Sequence, residues 1–429
     1  MSSISRTLAI IVGVGTLAQA DQAVASGFMI RENSAEGLAT AFAGAASRAD
    51  EPATVFNNPA GMSFLEGSQT QIGGTVVLPG IHFTGSASVQ PFGIPVPGDN
   101  SRQAGQFAFI PHAYGTYEIN DKWRFGIAIT VPFGNTVDYS ENWSGRYVNI
   151  KTGVLTADIN PNLSYKITNR VAIAAGFSAQ YFKGELAGAI PQFAIFFPNP
   201  APDAYYRFKA DGWGWGYNVG LLAEPFDGTR LGLTYRSRVN HPISGQLGFS
   251  SSLSPMVGLV TSQATTSVNL PDSVTASITQ QITPEFSLSS DVQFTHWSIF
   301  KKVVVTSANP TFTFDEEYQD SWMVSLGGVY RFDNQWTFRA GGGWDETPVR
   351  DGFRDVGVPD KDRWLLGAGL GYQLTDSVGI DVAYAHYFAA HATMNESINR
   401  IDPFTGAVFL QGQYNNHLDW VSVSIRTKL

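Results

Sequence analysis

The sequence predicts an all-β fold: a transmembrane antiparallel β-barrel of about 14 strands with an N-terminal hatch, or plug, inside the lumen. Three observations predict it. Charged residues make up 15% of the 429-residue chain, which also contains 44 glycines and 29 phenylalanines. Apolar and polar residues alternate from about residue 68 to the C-terminus. The connections between the predicted strands are alternately short and long.

The N-terminus indicates export. Arg6 precedes an apolar stretch, residues 8–18, and the small residues Ala23, Val24 and Ala25 follow it. This order predicts a signal peptide over residues 1–25, with a disordered tail as the alternative. The apolar stretch is too short to cross a bilayer as a helix. The chain has no cysteine, which excludes disulfides and thiolate metal sites, and its net charge of −9 argues against a nucleic-acid partner.

Alternation with a period of two predicts the strands. Near the C-terminus Val421, Val423 and Ile425 alternate with Ser422 and Ser424. A soluble sandwich would alternate in the same way, but aromatic residues near strand ends favour a membrane barrel with interfacial girdles. The tryptophans expected in these girdles are Trp123, Trp297, Trp322, Trp336, Trp364 and Trp420.

The connections define two rims. Tight turns are predicted at 119–123, 166–170, 224–230, 282–286, 332–336 and 374–377, with long segments such as 86–104, 187–211 and 249–266 between them. Short turns at one rim and long loops at the other are typical of outer-membrane barrels. Six turns, with the chain entering at the same rim, predict about 14 strands in residues 67–429.

Residues 26–66 lack strand alternation and are predicted to form the hatch. A barrel of this size has a lumen too wide for strand side chains alone to fill. The stretch VFNNPAGM contains Asn57, Asn58 and Pro59. Pro59 restricts the backbone at Asn58, and the amides can bond backbone groups, so we expect these residues and Phe28 to fix the hatch. A simple turn is the alternative.

Several motifs resemble the FadL/TodX family of outer-membrane transporters for long-chain fatty acids and other hydrophobic compounds. They are Ser26-Gly27-Phe28, NNPA, LTYRS at 233–237, NLPD at 269–272, DNQWTFRAGGGWDETPV at 333–349 and PDKDRW at 359–364. The resemblance implies a hatch within a 14-stranded barrel, a hydrophobic groove among the extracellular loops, and a kinked third strand that opens the wall sideways. It also implies a Gram-negative outer membrane, with lipid and lipopolysaccharide as surroundings, and we expect a monomer without cofactor or metal.

Two extracellular loops are rich in apolar residues and are expected to capture the solute. Apolar side chains exposed on a loop mark a binding site, and each acyl methylene buried there contributes about 0.8 kcal/mol. Packing of the loops against each other is the alternative. The candidates are Leu186, Ile190, Phe193, Ile195, Phe196 and Phe197 in the first loop, and Leu253, Met256, Val257, Leu259 and Val260 in the second.

Basic residues are candidates for binding a carboxylate head group. Strand parity places Arg236 and Arg238 in the lumen, and Lys301 and Lys302 lie near the outer end of their strand. The alternative is that such residues pair with inward carboxylates and the hatch.

The exit is predicted at the third strand. Its alternation ends at Val131 and is followed by Pro132, Phe133 and Gly134, while Pro111 of the preceding strand lies almost opposite Pro132. Proline cannot donate to a β-ladder, and unpaired backbone within a membrane is tolerated only where it lines a cavity. These residues therefore predict a lateral gap, with a strand that ends at Val131 as the alternative.

Three other functions compete with transport of a long-chain hydrophobic solute. An enzyme is not expected. His296 and His386 fall on the lipid-facing parity, and His241 and His391 have no serine or aspartate partner at a revealing spacing. A general porin needs an open lumen, which the predicted hatch argues against. An uptake channel for aromatic hydrocarbons would need the same apolar residues in its loops, so the sequence does not exclude this function.

Overall fold

The computed structural model describes residues 27–429 except for 92, 102, 192–201, 251–257 and 399–406. The strands, in chain order, are β1 (Gln69–Val89), β2 (Ile94–Val96), β3 (Ala108–Glu118), β4 (Trp123–Thr130), β5 (Gly134–Asp138), β6 (Lys151–Thr168), β7 (Val171–Ile190), β8 (Ala204–Phe226), β9 (Thr229–Arg236), β10 (Val239–Phe249), β11 (Ser262–Leu270), β12 (Ser273–Gln281), β13 (Phe286–Thr295), β14 (Lys302–Ser307), β15 (Phe312–Asp315), β16 (Ser321–Arg331), β17 (Trp336–Asp345), β18 (Arg363–Gln373), β19 (Val378–Ala389), β20 (Ala392–Ile398) and β21 (Val408–Lys428).

These strands build a closed antiparallel barrel with 14 wall strands, which confirms the predicted fold class. Four wall strands are each made of two segments, namely β4 with β5, β9 with β10, β11 with β12, and β19 with β20. The barrel closes where β1 pairs with β21, from Gln69 opposite Lys428 to Val89 opposite Val408. The hairpin β14–β15 lies in the long connection between β13 and β16.

The short turns and the outward apolar face follow the predicted pattern. Each of the six predicted turns joins two consecutive wall strands, such as 119–122 between β3 and β4. Along β21, Val423 and Ile425 are exposed whereas Ser422 and Ser424 are buried. The apolar face therefore points outward, toward lipid, and the small polar face points into the lumen. Within the described residues, no helix is long and apolar enough to cross a bilayer.

Two of the six predicted girdle tryptophans are not on the outer surface. Trp123, Trp322, Trp336 and Trp364 are exposed, but Trp297 and Trp420 are fully buried. Trp420 precedes the outward Val421, so the alternation of side chains turns its indole inward. Trp297 lies beyond the end of β13 in a short 3₁₀ helix, Trp297–Ile299, where strand parity no longer applies.

Residues 27–66 lie inside the barrel and are called the hatch segment below. They contain helices at Ala35–Ala39 and Thr54–Asn57 and a 3₁₀ helix at Pro59–Phe64. The first helix contacts β17, β18, β19 and β21, whereas the 3₁₀ helix contacts β4, β6, β7 and β8 on the other side of the wall. The segment thus spans the lumen from one side to the other.

Candidate ligand pocket and wall gap

The third wall strand is interrupted at the predicted position. β4 ends at Thr130 and β5 begins at Gly134. Its ladder with β3 stops at the pair Ala113 and Ile129 and resumes only at a bridge between Gly105 and Val137. Among the described residues no ladder pair joins the two strands between these levels. We call this interruption the wall gap.

The prolines predicted to cause the wall gap lie at its edges. Continuing the β3–β4 register places Pro111 opposite Val131 and Pro132 opposite Ile110, so the two prolines are offset by one residue. On its other side, the interrupted strand stays attached to β6, because the Phe133 N–H donates to Thr156 Oγ1 over 2.9 Å and the Thr156 N–H donates to the Phe133 carbonyl over 3.0 Å. The strand is therefore detached from one neighbour only.

The start of the hatch segment occupies the free edge. Met29 pairs with Phe133 in an antiparallel bridge. The Ile30 N–H donates to the Pro132 carbonyl over 2.8 Å, and the Gly134 N–H donates to the Phe28 carbonyl over 2.9 Å. Residues 28–30 thus replace β3 as the hydrogen-bonding neighbour at this level. This satisfies backbone groups that would otherwise be unpaired within the membrane.

The side chain of Asn58 bonds backbone groups of both the hatch segment and the wall. Its side chain is fully buried. The amide nitrogen donates to the carbonyl of Ala46 over 2.7 Å and to that of Leu221, in the wall, over 3.0 Å. Its oxygen accepts from the Ala60 N–H over 3.2 Å and caps the 3₁₀ helix that begins at Pro59. Asn58 therefore joins two parts of the hatch segment to β8.

The wall provides space for this anchor through a glycine. A Cβ atom at Gly220 would lie 2.0 Å from Asn58 Oδ1, closer than any real contact. The neighbouring Asn57 is held more weakly, since its oxygen accepts one bond, from Asn33 Nδ2 over 3.5 Å. The two predicted asparagines thus differ in role: Asn58 contacts the wall, whereas Asn57 lines a cavity near the wall gap.

A buried charge network also joins the hatch segment to the wall. Glu36 lies 2.9 Å from Arg426, which also pairs with Asp381 over 2.6 Å, and Asp381 pairs with Arg339 over 2.7 Å. Gln71 donates to Glu36 over 3.2 Å and to Glu51 over 2.9 Å. Burial and the nearby Glu51 raise the pKa of Glu36 to about 7, although Arg426 opposes the shift.

Raising the pH is expected to weaken the packing of the hatch segment. The pKa of Glu36 rises from its usual 4.5 to about 7, so the packed state binds more protons than a hydrated Glu36 between these values. Stability therefore falls as pH rises through this window, by roughly 3 kcal/mol at most for this group. Hydrogen exchange of residues 27–66, corrected for the intrinsic rate, measures it.

The Glu36→Gln variant should show a smaller pH dependence of exchange than the wild type, because glutamine stays neutral. Glu66→Gln is the matched control, since Glu66 is exposed and its partner Lys428 is also at the surface. If the amides of the wild-type hatch segment are equally protected from exchange at pH values near 4.5 and near 7, the prediction is wrong.

An apolar cavity of about 680 Å³ lies among the outer ends of the wall strands and is called the outer pocket. Three carboxylates, Glu185, Glu316 and Asp355, also line it. The apolar side chains that surround it include Phe28, Leu186, Phe182, Phe208, Ile243, Val268, Phe300, Val303 and Phe314.

Phe28 connects the outer pocket with the wall gap. Its ring packs edge-on against Trp297 and Phe300, with centroids 4.9 and 5.5 Å away. On another side it lies 6.1 Å from the ring of Phe133, within the interrupted strand. A second cavity of about 850 Å³, the inner cavity, is lined by Met29, Pro132 and other residues. The chain at 28–30 and 132–133 therefore separates the two cavities.

The predicted loop residues are only partly within the described chain. Leu186 lines the outer pocket, and Leu259 packs against the same apolar cluster. Ile190 is fully buried, whereas Val260 is exposed and its backbone bonds Asn309. Phe193, Ile195, Phe196, Phe197, Leu253, Met256 and Val257 lie outside the described residues.

The four basic candidates occupy different environments. Arg236 lines the inner cavity, lies 3.6 Å from Asp158, and stacks 3.9 Å above the ring of Phe56. Arg238 does not face the lumen as predicted: its side chain is 55% exposed and pairs with Asp272. The wall strand breaks between β9 and β10 at residues 237–238, which shifts the parity. Lys301 and Lys302 are exposed near the β14–β15 hairpin, and Lys301 pairs with Glu317.

Most residues of the outer pocket were not predicted from the sequence. Phe182, Phe208 and Ile243 lie on inward parity positions of β7, β8 and β10. On the same face of β7, nearer the short turns, the residues are small or polar, such as Ala174 and Ser178. The inward side chains of β7 thus change along the strand from small or polar to large and apolar. This change is visible in the sequence and could have indicated the outer pocket. The contributions from 300–318 depend on how a long connection folds, which no local pattern indicates.

Comparison with known proteins matches nearly the whole chain to one family of outer-membrane transport proteins. A family model described as outer membrane protein transport protein (OMPP1/FadL/TodX) matches residues 16–428. The long-chain fatty acid transport protein of Escherichia coli strain K12 is 26% identical over 411 residues, 87% of this chain and 90% of that protein. The 47 kDa outer membrane protein of Pasteurella multocida is 28% identical over 397 residues, 88% of this chain and 90% of that protein.

Solved structures share the architecture. A FadL homologue from Pseudomonas aeruginosa superposes with a TM-score of 0.89 at 24% identity, covering 94% of this chain and 99% of that chain. The toluene transporter TbuX of Ralstonia pickettii superposes with a TM-score of 0.68 at 20% identity, covering 92% and 98%. Because both identities are below 25%, these superpositions show that this chain has the same fold, and they show nothing about its solute.

Proposed function

Because the chain belongs to the OMPP1/FadL/TodX family of outer-membrane transport proteins, we propose that it takes up long hydrophobic solutes, principally long-chain fatty acids, through its wall. The solute is captured at the extracellular loops and enters the outer pocket. Rearrangement of the hatch segment then opens a way to the wall gap, and the solute leaves sideways into the membrane. The relatives named as long-chain fatty acid transport proteins support the choice of solute.

The capture step is supported by the position and chemistry of the outer pocket. It lies toward the rim with long loops, which in outer-membrane barrels faces outward. Lipopolysaccharide presents a polar, charged layer, so an apolar solute needs an apolar site above the bilayer. Burial of apolar area drives binding there, at about 0.8 kcal/mol for each methylene. A long chain then binds tightly without polar contacts.

The exit step is supported by the way residues 28–30 cover the wall gap. They hold the free edge of the interrupted strand through two backbone hydrogen bonds, so the gap cannot pass a solute until they move. Phe28 also lines the outer pocket. A solute that enters this pocket competes with the Phe28 ring for the same aromatic neighbours. Binding of the solute in the outer pocket can therefore favour release of residues 28–30 from the wall gap.

The single observation that carries the proposal is the bridge between Met29 and Phe133, because it links the pocket lining to the wall gap. A disulfide can test it. Directly opposed residues of an antiparallel pair have Cα atoms close enough for a disulfide, and the chain has no other cysteine. The double variant Met29→Cys with Phe133→Cys is expected to bind solute but to stop transport when oxidised, and to recover when reduced.

The single-cysteine variants Met29→Cys and Phe133→Cys are the matched controls and should transport under both conditions. Uptake of a labelled long-chain fatty acid into cells, with and without reductant, measures the effect. Normal uptake by the fully oxidised double variant would show that the hatch segment need not leave the wall gap.

A general porin is the alternative that the structure counts against. The hatch segment fills the lumen with buried side chains such as Leu38 and Met62, both fully inaccessible. A wide aqueous channel would need the removal of this segment.

A further inference from the structure

Two neighbouring wall strands change the direction of their side chains at the same height. The first is interrupted between Arg236, where β9 ends, and Val239, where β10 begins, and the second between Leu270 and Ser273. The interruptions lie side by side, because Ser273 pairs with Arg236 and Val239 pairs with Leu270. Each interruption shifts the alternation by one residue, so the parity that faces outward on the side of the short turns faces inward on the side of the long loops.

The outward face changes from apolar to polar at this level. On the side of the short turns, the exposed residues include Leu231, Leu233, Val274 and Ile278. On the side of the long loops, they include Asn240, Ser244, Thr265, Ser267 and Asn269. The apolar residues Ile243 and Val268 turn inward there and line the outer pocket. Because strands in contact with lipid carry apolar side chains, the interruptions mark the outer edge of the hydrocarbon layer.

Aromatic residues mark the same edge on the neighbouring strand. On β8, Trp213 and Trp215 are exposed, and their ring centroids lie 6.2 Å apart. The exposed Tyr217 packs 5.9 Å from Tyr235, which directly precedes the first interruption. Tryptophan and tyrosine concentrate at the interface between membrane and water. Residues beyond these aromatics therefore lie at the height of the head groups of the outer leaflet.

Basic residues are concentrated on the outside of the wall at this height. They lie on β7, β8 and β14 or directly before β10 and β14, and all are exposed: Lys183, Arg207, Lys209, Arg238, Lys301 and Lys302. We call the outer surface that carries them, beyond the two interruptions, the basic face. Farther round the barrel, the residues two positions from the tryptophans of β16, β17 and β18 are instead acidic, namely Asp320, Glu346 and Asp362. The positive charge is thus confined to one side of the rim.

Four carboxylates lie among these six basic residues. The ion pairs join Arg207 to Glu185 over 3.1 Å, Lys209 to Glu185 over 3.6 Å, Arg238 to Asp272 over 3.2 Å, and Lys301 to Glu317 over 3.4 Å. Asp211 lies opposite Lys183 in the β7–β8 ladder. Exposed ion pairs contribute little free energy. A phosphate, which carries more charge than a carboxylate, can therefore bind these basic groups in addition to or in place of their partners.

A shallow depression between β11 and β14 adds neutral polar groups to the basic face. It is lined by Thr265, Ser267, Asn269, Lys301, Lys302 and Thr306, among other residues. The two lysines predicted to bind a carboxylate thus face this depression and do not line the outer pocket. On β10, Asn240 donates to Ser267 Oγ over 2.8 Å and to Asn269 Oδ1 over 2.6 Å. Such hydroxyl and amide groups bind the hydroxyl groups of sugars.

We propose that the basic face is a docking surface for lipopolysaccharide. This glycolipid presents acyl chains within the membrane and a phosphorylated disaccharide at its edge, which is the order of the surfaces on the wall. The acyl chains pack against the apolar side chains below the interruptions, such as Leu233 and Ile278. The sugars contact the amide and hydroxyl groups of the depression, and the phosphates bind Lys209, Arg238 and Lys302. The inference goes beyond solute uptake, because it assigns a lipid partner to the outside of the barrel.

Equilibrium binding to the purified full-length protein in nonionic detergent, at one fixed ionic strength, tests the proposal. The probes are labelled bisphosphorylated lipid A, the same lipid A without its phosphates, and phosphatidylglycerol. The wild type is expected to bind bisphosphorylated lipid A about tenfold more tightly than either of the other two. The double variant Lys209→Ser with Lys302→Ser should bind it about tenfold more weakly than the wild type, because the phosphates lose two cationic partners.

The matched control is the double variant Lys122→Ser with Arg170→Ser. It removes the same charge from exposed positions at the rim with short turns, which faces away from the outer leaflet. This variant should bind lipid A as tightly as the wild type does.

The three probes separate the ways in which the proposal can fail. If the Lys209 and Lys302 variant binds bisphosphorylated lipid A like the wild type, or if removal of the phosphates changes nothing, the basic face does not bind the phosphates and the proposal is wrong. If phosphatidylglycerol binds as tightly as lipid A, the face binds anionic lipids in general and the assignment to lipopolysaccharide is overturned. Neither result bears on solute uptake, which the disulfide between residues 29 and 133 tests separately.

Discussion

Replacement of Pro132 and Gly134 by valine is expected to give a protein that assembles and binds solute but no longer delivers it. Valine at 132 restores an N–H group, and valine at 134 favours extended backbone. In a strand the N–H and carbonyl of one residue point to the same side. The new N–H therefore faces the edge where the Pro132 carbonyl accepts from Ile30.

The new donor can pair with the hatch segment or with β3, and both outcomes close the wall gap. One or two added hydrogen bonds at this edge should reduce uptake by about tenfold or more. Binding should persist, because neither residue lines the outer pocket. Uptake of a labelled fatty acid into cells, compared with equilibrium binding to the purified protein, separates the two effects.

Pro161→Val is the matched control, since Pro161 lies within β6, opposite Ile127 in a β4–β6 ladder that is continuous from Trp123 to Thr130. It should leave uptake unchanged. If the Pro132→Val and Gly134→Val double variant transports at the wild-type rate, the solute must leave past the hatch segment at the periplasmic end, and the lateral route is wrong.

The architecture could be predicted because it depends on local patterns. The alternation along β21 and the short turns between wall strands are set by neighbouring residues, and both persist in the structure. The interruption at Pro132 was also predictable, since proline removes a ladder donor whatever surrounds it. Where a strand breaks, the same reasoning fails: parity assigned Arg238 to the lumen, yet the break at 237–238 turns it outward.

The outer pocket could not be predicted because it is built from parts distant in sequence. Phe28, Phe208 and Tyr318 meet there only after the barrel has closed and a long connection has folded over its end. The same holds for the bridge between Met29 and Phe133, which joins residues about one hundred positions apart. Sequence composition indicated an apolar capture site but not which strands contribute to it.

Asn58→Ala is expected to loosen the hatch segment and to raise ion leakage through the barrel. The substitution removes three hydrogen bonds and leaves the carbonyls of Ala46 and Leu221 without this donor in a buried site. Such a change should weaken the packing of the segment by about 2–4 kcal/mol. Because the lumen of a barrel this size is wide without a plug, even brief displacement should conduct ions.

Single-channel conductance in planar bilayers measures the leakage. Asn57→Ala is the matched control, since Asn57 accepts a single long bond from Asn33 and should change conductance little. Gly220→Ala tests the anchor from the wall side, because its new Cβ would lie 2.0 Å from Asn58 Oδ1 and must displace the amide. Both Asn58→Ala and Gly220→Ala should conduct more than the wild type. If both conduct at the wild-type level, Asn58 only shapes a turn and the hatch segment is held by its charge network instead.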